Sequence, residues 1–323
     1  MNSKKRILTG IIAISISAIL WGFDGVVLTP RLFDLDVSFV VFMLHIIPFA
    51  IMNLFFYKEY KNLKKFNTVD WITVISIALF GGAIGTLSIV KALFLVNFQH
   101  LSFVVLLQKL QPIFAIGLAA IILKEKLHKS FLLWAGLAIV AGYFLTFGFE
   151  APTFTVNQNT HKAVLFALLA AFSFGSSTVF SKLILKKYDF KTATFFRYGI
   201  TSLIMLFIVS FNQKWEQFQV VQTRHLILFL IIGLTSGSGA IFLYYFGLKK
   251  VKAIIATICE LLFPLSAIFF DFFVNNNSLN TIQWISAIIM VYSIIQLNVN
   301  NTKKIQQKNK QLSFTKTNKA VQK

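Results

Sequence analysis

The sequence predicts an all-α integral membrane protein of ten transmembrane helices, arranged as two inverted five-helix repeats. Three observations predict it. The 323 residues are 57% hydrophobic and only 13% charged, with a mean hydropathy of +0.74, where a soluble globule carries about a quarter charged residues. The basic residues fall in clusters between apolar stretches, heavy and light by turns. A set of landmark residues recurs at a near-constant offset of 152 positions.

About 20 apolar residues cross a bilayer as helix. Lys4, Lys5 and Arg6 run straight into the first apolar stretch, 7–28, with no small-residue cleavage site, so this stretch predicts a helix that stays rather than a signal peptide. The following spans are expected at 37–57, 71–95, 101–122, 130–148, 162–182, 191–211, 225–247, 252–273 and 279–298. The connections are too short for a soluble domain. The expected organisation is a short cytoplasmic N-terminus (1–6), a first repeat (7–148), an external linker (149–161), a second repeat (162–298) and a polar, basic tail (299–323) expected to be disordered on the membrane surface.

Charge tests the count. With the N-terminus in the cytoplasm, 24 of the 31 Lys and Arg residues fall in cytoplasmic segments, and only Arg31, Lys162, Lys214 and Arg224 fall outside. Lys91, Lys109 and Arg197 lie within spans. Such an alternating imbalance is the positive-inside signature, and both termini are expected in the cytoplasm of a cell that carries the protein in its plasma (inner) membrane. It also explains the net charge of +20 without nucleic acid, whose binders gather their basic residues into a patch on a folded polar domain.

The halves repeat each other. Gly81-x-x-x-Gly85 matches Gly233-x-x-x-Gly237 and Pro112 matches Pro264, each 152 apart; Gly22 matches Gly175 and Trp134 matches Trp284 at 153 and 150. Five spans per half is an odd number, so the second half enters the membrane the other way up. Inverted repeats are typical of secondary transporters, whose two halves exchange roles around a central site.

The stretches Lys91-Ala-Leu-Phe-Leu-Val-Asn-Phe-Gln-His100, Gln108-Lys-Leu-Gln-Pro-Ile-Phe-Ala115 and Leu123-Lys-Glu-Lys-Leu127 resemble the signature of EamA domains, in the drug/metabolite transporter superfamily. Tyr244-Tyr-Phe-Gly-Leu-Lys-Lys250, Glu260-Leu-Leu-Phe-Pro264 and the stretch from Leu279 to Trp284 form a second copy, so the resemblance covers about residues 9–297. It implies ten helices, two EamA repeats and export or exchange of small organic metabolites such as amino acids. The sequence departs from the pattern at Gln111, where an acidic residue is common, and at Asn277, which stands where the first repeat has Glu125.

An ionisable group at membrane depth costs at least ~2.5–3.5 kcal/mol unless paired or wetted, so each is a functional candidate. His45, Lys109, Arg197 and Glu260 group near the midplane, with Asp24 and Lys91 toward the outside and Asp271 near a span end. Glu260 leads, because Thr257, Glu260, Pro264, Ala267 and Asp271 form one stripe at helical spacing. The expected substrate-binding set is Glu260, Gln108, Lys109, Gln111, Arg197, His45, Trp21 and Tyr244, with Tyr198 a weaker candidate. The bland alternatives are a structural Glu260–Arg197 ion pair, interhelical amide bonds for Gln108 and Gln111, a packed His45 and packed aromatics. Asp24 and Lys91 read as an outer gate or a static pair, and Pro112 and Pro264 as helix kinks. Ser173, Ser176, Ser177 and Ser181, with the glycine pairs, read as close-packing faces, and the 37 Phe residues as lipid-facing bulk.

Other classes find little support. The five His residues show no His-Glu-x-x-His pattern, and Ser, His and Asp do not group at one depth, so an enzyme is not expected. The short loops leave a structural or sensory protein little room for a signalling partner. The lone Cys259 excludes an internal disulfide and a cysteine metal cluster, and no Gly-rich phosphate loop exists for ATP. No cofactor or metal is expected. The expected partners are a small-molecule substrate and the lipid bilayer, with the chain a monomer or homodimer.

Overall fold

A computed structural model describes residues 3–96, 104, 107–108, 110–125, 129–149, 158–276, 280–297 and 299. Among these, seven helical segments are long and apolar enough to cross a membrane: Lys5–Leu32, Val37–Lys65, Thr68–Leu95, His161–Leu185, Phe190–Phe211, Thr223–Leu248 and Ala253–Asn275. Three shorter apolar helices, Gln111–Ile122, Lys129–Leu145 and Thr281–Leu297, fall where the sequence predicts spans 4, 5 and 10. The predicted spans keep their numbers below.

Packing is symmetric under exchange of the halves. Span 1 lies against spans 8 and 9, while its counterpart, span 6, lies against spans 3 and 4, and spans 2 and 7 pack on each other. The crossings match atom for atom. A Cβ at Gly22 would sit 2.8 Å from the Phe263 carbonyl oxygen and 2.8 Å from the Ala267 nitrogen. A Cβ at Gly175 would sit 3.0 Å from the Gln111 carbonyl oxygen and 3.0 Å from the Ala115 nitrogen. Each glycine thus lets a helix touch the backbone of a broken partner just past its break.

The breaks come from the two prolines. Proline has no N–H, and its ring crowds the carbonyl four residues back. In span 9 an α-helix runs Ala253–Cys259, a turn follows at Glu260–Leu261, and helix resumes at Leu262–Asn275. The backbone there tightens to three-residue bonds, Leu261 N to Ile258 O at 3.1 Å and Phe263 N to Glu260 O at 2.9 Å. In span 4, Leu110 N reaches Leu107 O at 3.1 Å and Ile113 N reaches Leu110 O at 2.9 Å. Pro112 and Pro264 are both buried.

The glycine pairs do more than pack. Ile77–Ile84 and Gly233–Gly237 are π-helical turns inside spans 3 and 8, and Asp24–Leu28 is a third, inside span 1. A π turn widens the helix and re-aims its carbonyls, and such bulges concentrate at functional sites. The phenylalanines divide between surface and packed positions: Phe55, Phe207 and Phe211 are exposed, whereas Phe39, Phe195 and Phe229 are fully buried, and Phe66 meets Trp71, Tyr188 and Phe196 edge-on.

Candidate functional site

The symmetric crossings enclose a cavity of about 700 Å³ between the halves, within the range of sites that hold drug-sized ligands. Its lining reaches one face of the bundle through Thr29, Leu93, Asn276 and Gln283. It includes no residue from the turns at the opposite face, around 57–67, 186–189 and 249–252. At its deep end lie Ser181, Arg197, Tyr244 and Glu260. Glu260 is seven residues from Ala253, so the cavity floor is about 10 Å from the closed face at 1.5 Å per residue.

Glu260 sits in the break of span 9, where the turn presents its side chain to the cavity. One carboxylate oxygen accepts from Tyr244 OH at 2.6 Å and the other from Gln111 Nε2 at 2.5 Å. Tyr244 OH also lies 2.9 Å from Thr178 Oγ1, which ties span 6 into the network. Spans 4, 6, 8 and 9 therefore meet at this one carboxylate.

The alternative reading, a structural Glu260–Arg197 ion pair, does not occur among the described residues. Arg197 is buried, and its guanidinium donates to Tyr245 OH at 3.0 Å and to the Gly81 carbonyl at 2.6 Å. The π turn of span 3 supplies that carbonyl, and a Cβ at Gly81 would crowd both Ser177 Oγ and Arg197 Nη1. Arg197 thus uses neutral acceptors on spans 3 and 8, and Glu260 uses neutral donors.

The Asp24–Lys91 pair is also absent. Lys91 is exposed, away from the cavity lining, where its long stem lets the ammonium reach the interface. Asp24 lines the cavity and accepts from Thr29 Oγ1 at 2.9 Å. Lys109 and Asn277 lie outside the described residues.

The remaining candidates do line the cavity. Trp21 and Tyr244 stand 5.5 Å apart, centroid to centroid. His45 bonds its own helix, Nδ1 to Val41 O at 2.8 Å, and lies 5.1 Å from the Tyr198 ring. Gln108 Oε1, Ser177 Oγ and Arg197 Nε are buried on this lining with no hydrogen-bond partner among the described residues. An unmet buried polar group costs ~1–3 kcal/mol, so these groups are poised to bond a guest.

The closed face is held by charges set against helix ends. Lys124 adopts φ 53, ending the helix of span 4 in a left-handed cap, and Glu125 N closes onto Ala119 O at 3.2 Å. The Glu125 carboxylate then accepts from Ala253 N at 3.0 Å and Ile254 N at 3.1 Å, the first free amides of span 9. On the other side of the same turn, Lys182 donates to the Leu248 carbonyl at 2.7 Å and to that of Val251. An anion at a helix N-terminus and a cation at a C-terminus are each favoured by the helix dipole. Nearby, Asp70 receives Lys187 and Tyr188, which raises the Lys187 pKa above 10.5. Burial, helped by the Arg6 charge, lowers that of Lys250.

Sequence reasoning misses Thr178, Ser181, Tyr245, Lys182 and the role of Glu125. Thr178 and Ser181 bond the tyrosine hydroxyls of span 8, so part of the serine face of span 6 is a hydrogen-bonding face. The available signal was the spacing of Ser177, Thr178 and Ser181, which puts three hydroxyls within one turn.

A model of the EamA-like transporter family matches residues 8–147 and again 161–299. The riboflavin transporter ImpX of Fusobacterium nucleatum is 52% identical over 289 residues, covering 89% of this chain and 97% of that protein. A solved crystal structure superposes with a TM-score of 0.65 at 15% identity, over 90% of this chain and 97% of that one, a likeness of fold alone.

Proposed function

The chain belongs to the EamA-like transporter family, and on that premise we propose that it carries riboflavin, or a closely related uncharged flavin, across the plasma membrane by alternating access. It is a multi-pass membrane transporter and not an enzyme. The observation that carries the substrate reading is the relative, 52% identical along nearly its whole length, that is a riboflavin transporter. The cavity supports it. Its aromatic walls, Trp21, Tyr244, Phe174 and Phe263, suit a flat heteroaromatic ring, and Gln108, Gln111 and Glu260 suit its polar edge. An amino acid, the substrate class expected from the sequence, would leave most of 700 Å³ unfilled.

The same reading takes ten spans in two inverted repeats (7–148 and 162–298), an external linker (149–161) and both ends, 1–6 and 299–323, in the cytoplasm. The lysine-rich face is then cytoplasmic, and the cavity opens outward. Glu260, Gln108, Gln111, Arg197, His45, Trp21 and Tyr244 line the binding site, with Lys109 expected beside them. Pro112 and Pro264 set the breaks about which the helices bend.

Counterflow in proteoliposomes tests this. Preloaded riboflavin should drive accumulation of labelled riboflavin, and amino acids should not compete. Glu260→Gln keeps the shape but removes the charge, so it should lower exchange about tenfold or more while the folded amount stays near normal. Counterflow of an amino acid but not riboflavin by folded protein would refute the substrate.

A further inference from the structure

The cavity is chemically divided along its depth. Its floor carries the aromatic walls, Glu260 and Arg197; its mouth carries Asp24, Thr29, Ser236, Asp271, Asn276 and Gln283. Among the described residues of the lining, Arg197 at the floor is the one Lys or Arg. Asp24 is the residue of the mouth nearest in sequence to the aromatic wall at Trp21. It begins the π turn of span 1, one helical turn beyond Trp21, and its described partner is the neutral Thr29 hydroxyl. No cation pairs with it among the described residues.

A carboxylate beside hydroxyl and amide groups suits a chain of hydroxyls, each able to donate to it. It repels a second anion, and more strongly in a low-dielectric cavity than in water. Resting on the flavin reading, we propose that the substrate enters ring first and leaves its polyol chain at the mouth. Asp24 is then the residue that admits the free alcohol and rejects the phosphorylated chain. The transporter therefore selects riboflavin against flavin mononucleotide, which shares the ring and differs only by the terminal phosphate. A ring with no polyol chain should still bind, more weakly, because its floor contacts remain.

The measurement is competition against labelled riboflavin in proteoliposomes by riboflavin, lumiflavin and flavin mononucleotide. Like charges brought together cost several kcal/mol, so the mononucleotide should compete about 100-fold more weakly than riboflavin in the wild type. Asp24→Asn keeps the size and the Thr29 bond but removes the charge. It should weaken riboflavin and strengthen the mononucleotide, shrinking the ratio about tenfold or more. Asp24→Glu, which keeps the charge, should keep the ratio. Equilibrium quenching of flavin fluorescence in detergent reads the same ratio without transport, so a variant that binds but moves slowly still reports. If riboflavin is carried and the ratio is equal in wild type and Asp24→Asn, Asp24 is not the discriminator and the substrate reading stands. If folded wild type takes neither flavin, both readings fall.

Discussion

The two faces of the bundle are built from equivalent helix ends, yet among the described residues only one has a turn gripped by charges from two other segments, whereas the other carries the surface pair of Arg224 and Asp34. At the closed face Glu125 caps span 9 and Lys182 binds the carbonyl end of span 8, so one turn is gripped from both sides. At the offsets of the repeat, the positions matching Lys182 and Glu125 are Thr29 and Asn277. Thr29 bonds Asp24 within its own span and brings no charge to a helix end. On the alternating-access reading proposed above, an inverted repeat makes two equivalent gates, and the side chains at these few positions bias which gate rests shut. The prolines and crossing glycines recur in both halves, whereas Glu125 of the first half and Lys182 of the second each lack a charged counterpart at the matching position of the other half.

The sharpest way to break that comparison is to remove the grip. Glu125→Gln with Lys182→Met should free the amides of Ala253 and Ile254, where a charge-assisted bond is worth ~1.5–3 kcal/mol. Hydrogen exchange there should quicken by about 10–100-fold, with the helix Phe190–Phe211 unchanged. On the proposed alternating-access reading, exchange of labelled substrate should slow as the state with this face closed loses population. Unaltered protection at both amides would mean that the closed face is held by packing alone.

The fold was legible because lipid imposes simple rules. Apolar length, alternating lysines and the 152-residue repeat each follow from the solvent or from duplication, and they mark the spans even where proline breaks them. The site was only half legible. Depth along a helix is readable at 1.5 Å per residue, so Glu260, Arg197 and His45 were placed at similar levels. Direction around the axis is not readable once π turns intervene. Arg197 and Glu260 looked like partners, yet the wide turn at Ile77–Ile84 turns the Gly81 carbonyl to Arg197, and Tyr244 and Gln111 take Glu260. Lys91 and Asp24 share a level and point apart for the same reason.

A smaller effect tests the shared part of the design. Gly22→Ala and Gly175→Ala should each push a helix off the backbone of its broken partner, and overpacking of this kind costs ~1–3 kcal/mol. Both should lower the melting temperature in detergent, the first more, because Ser266 also crowds the Gly22 position. Gly117→Ala, where an added Cβ meets nothing within 4 Å, is the control and should be neutral. Equal tolerance of all three would show that the crossings are loose and that the symmetry at the breaks carries no mechanical weight.

The least effect is expected at the edge of the closed face, and it separates the grip from the charges around it. Lys187 binds Asp70, but its side chain is half exposed, and Tyr188 OH also reaches Asp70 Oδ2 at 2.9 Å and Lys65 O at 3.0 Å. Lys187→Met therefore leaves Asp70 a donor, and only a small, salt-sensitive loss of melting temperature should follow, as for other exposed pairs. The pH dependence has a definite sign. The Asp70 bond raises the folded Lys187 pKa above its ordinary 10.5, so its contribution is complete below that value and disappears as pH climbs through the folded pKa. The gap between wild type and Lys187→Met should accordingly stay flat from neutral pH into the alkaline range and close only above about 10.5. If it closes near neutrality, or if Lys187→Met loosens the Ala253 and Ile254 amides as the paired Glu125 and Lys182 changes do, then the closed face is one continuous charge network rather than a grip on a single turn.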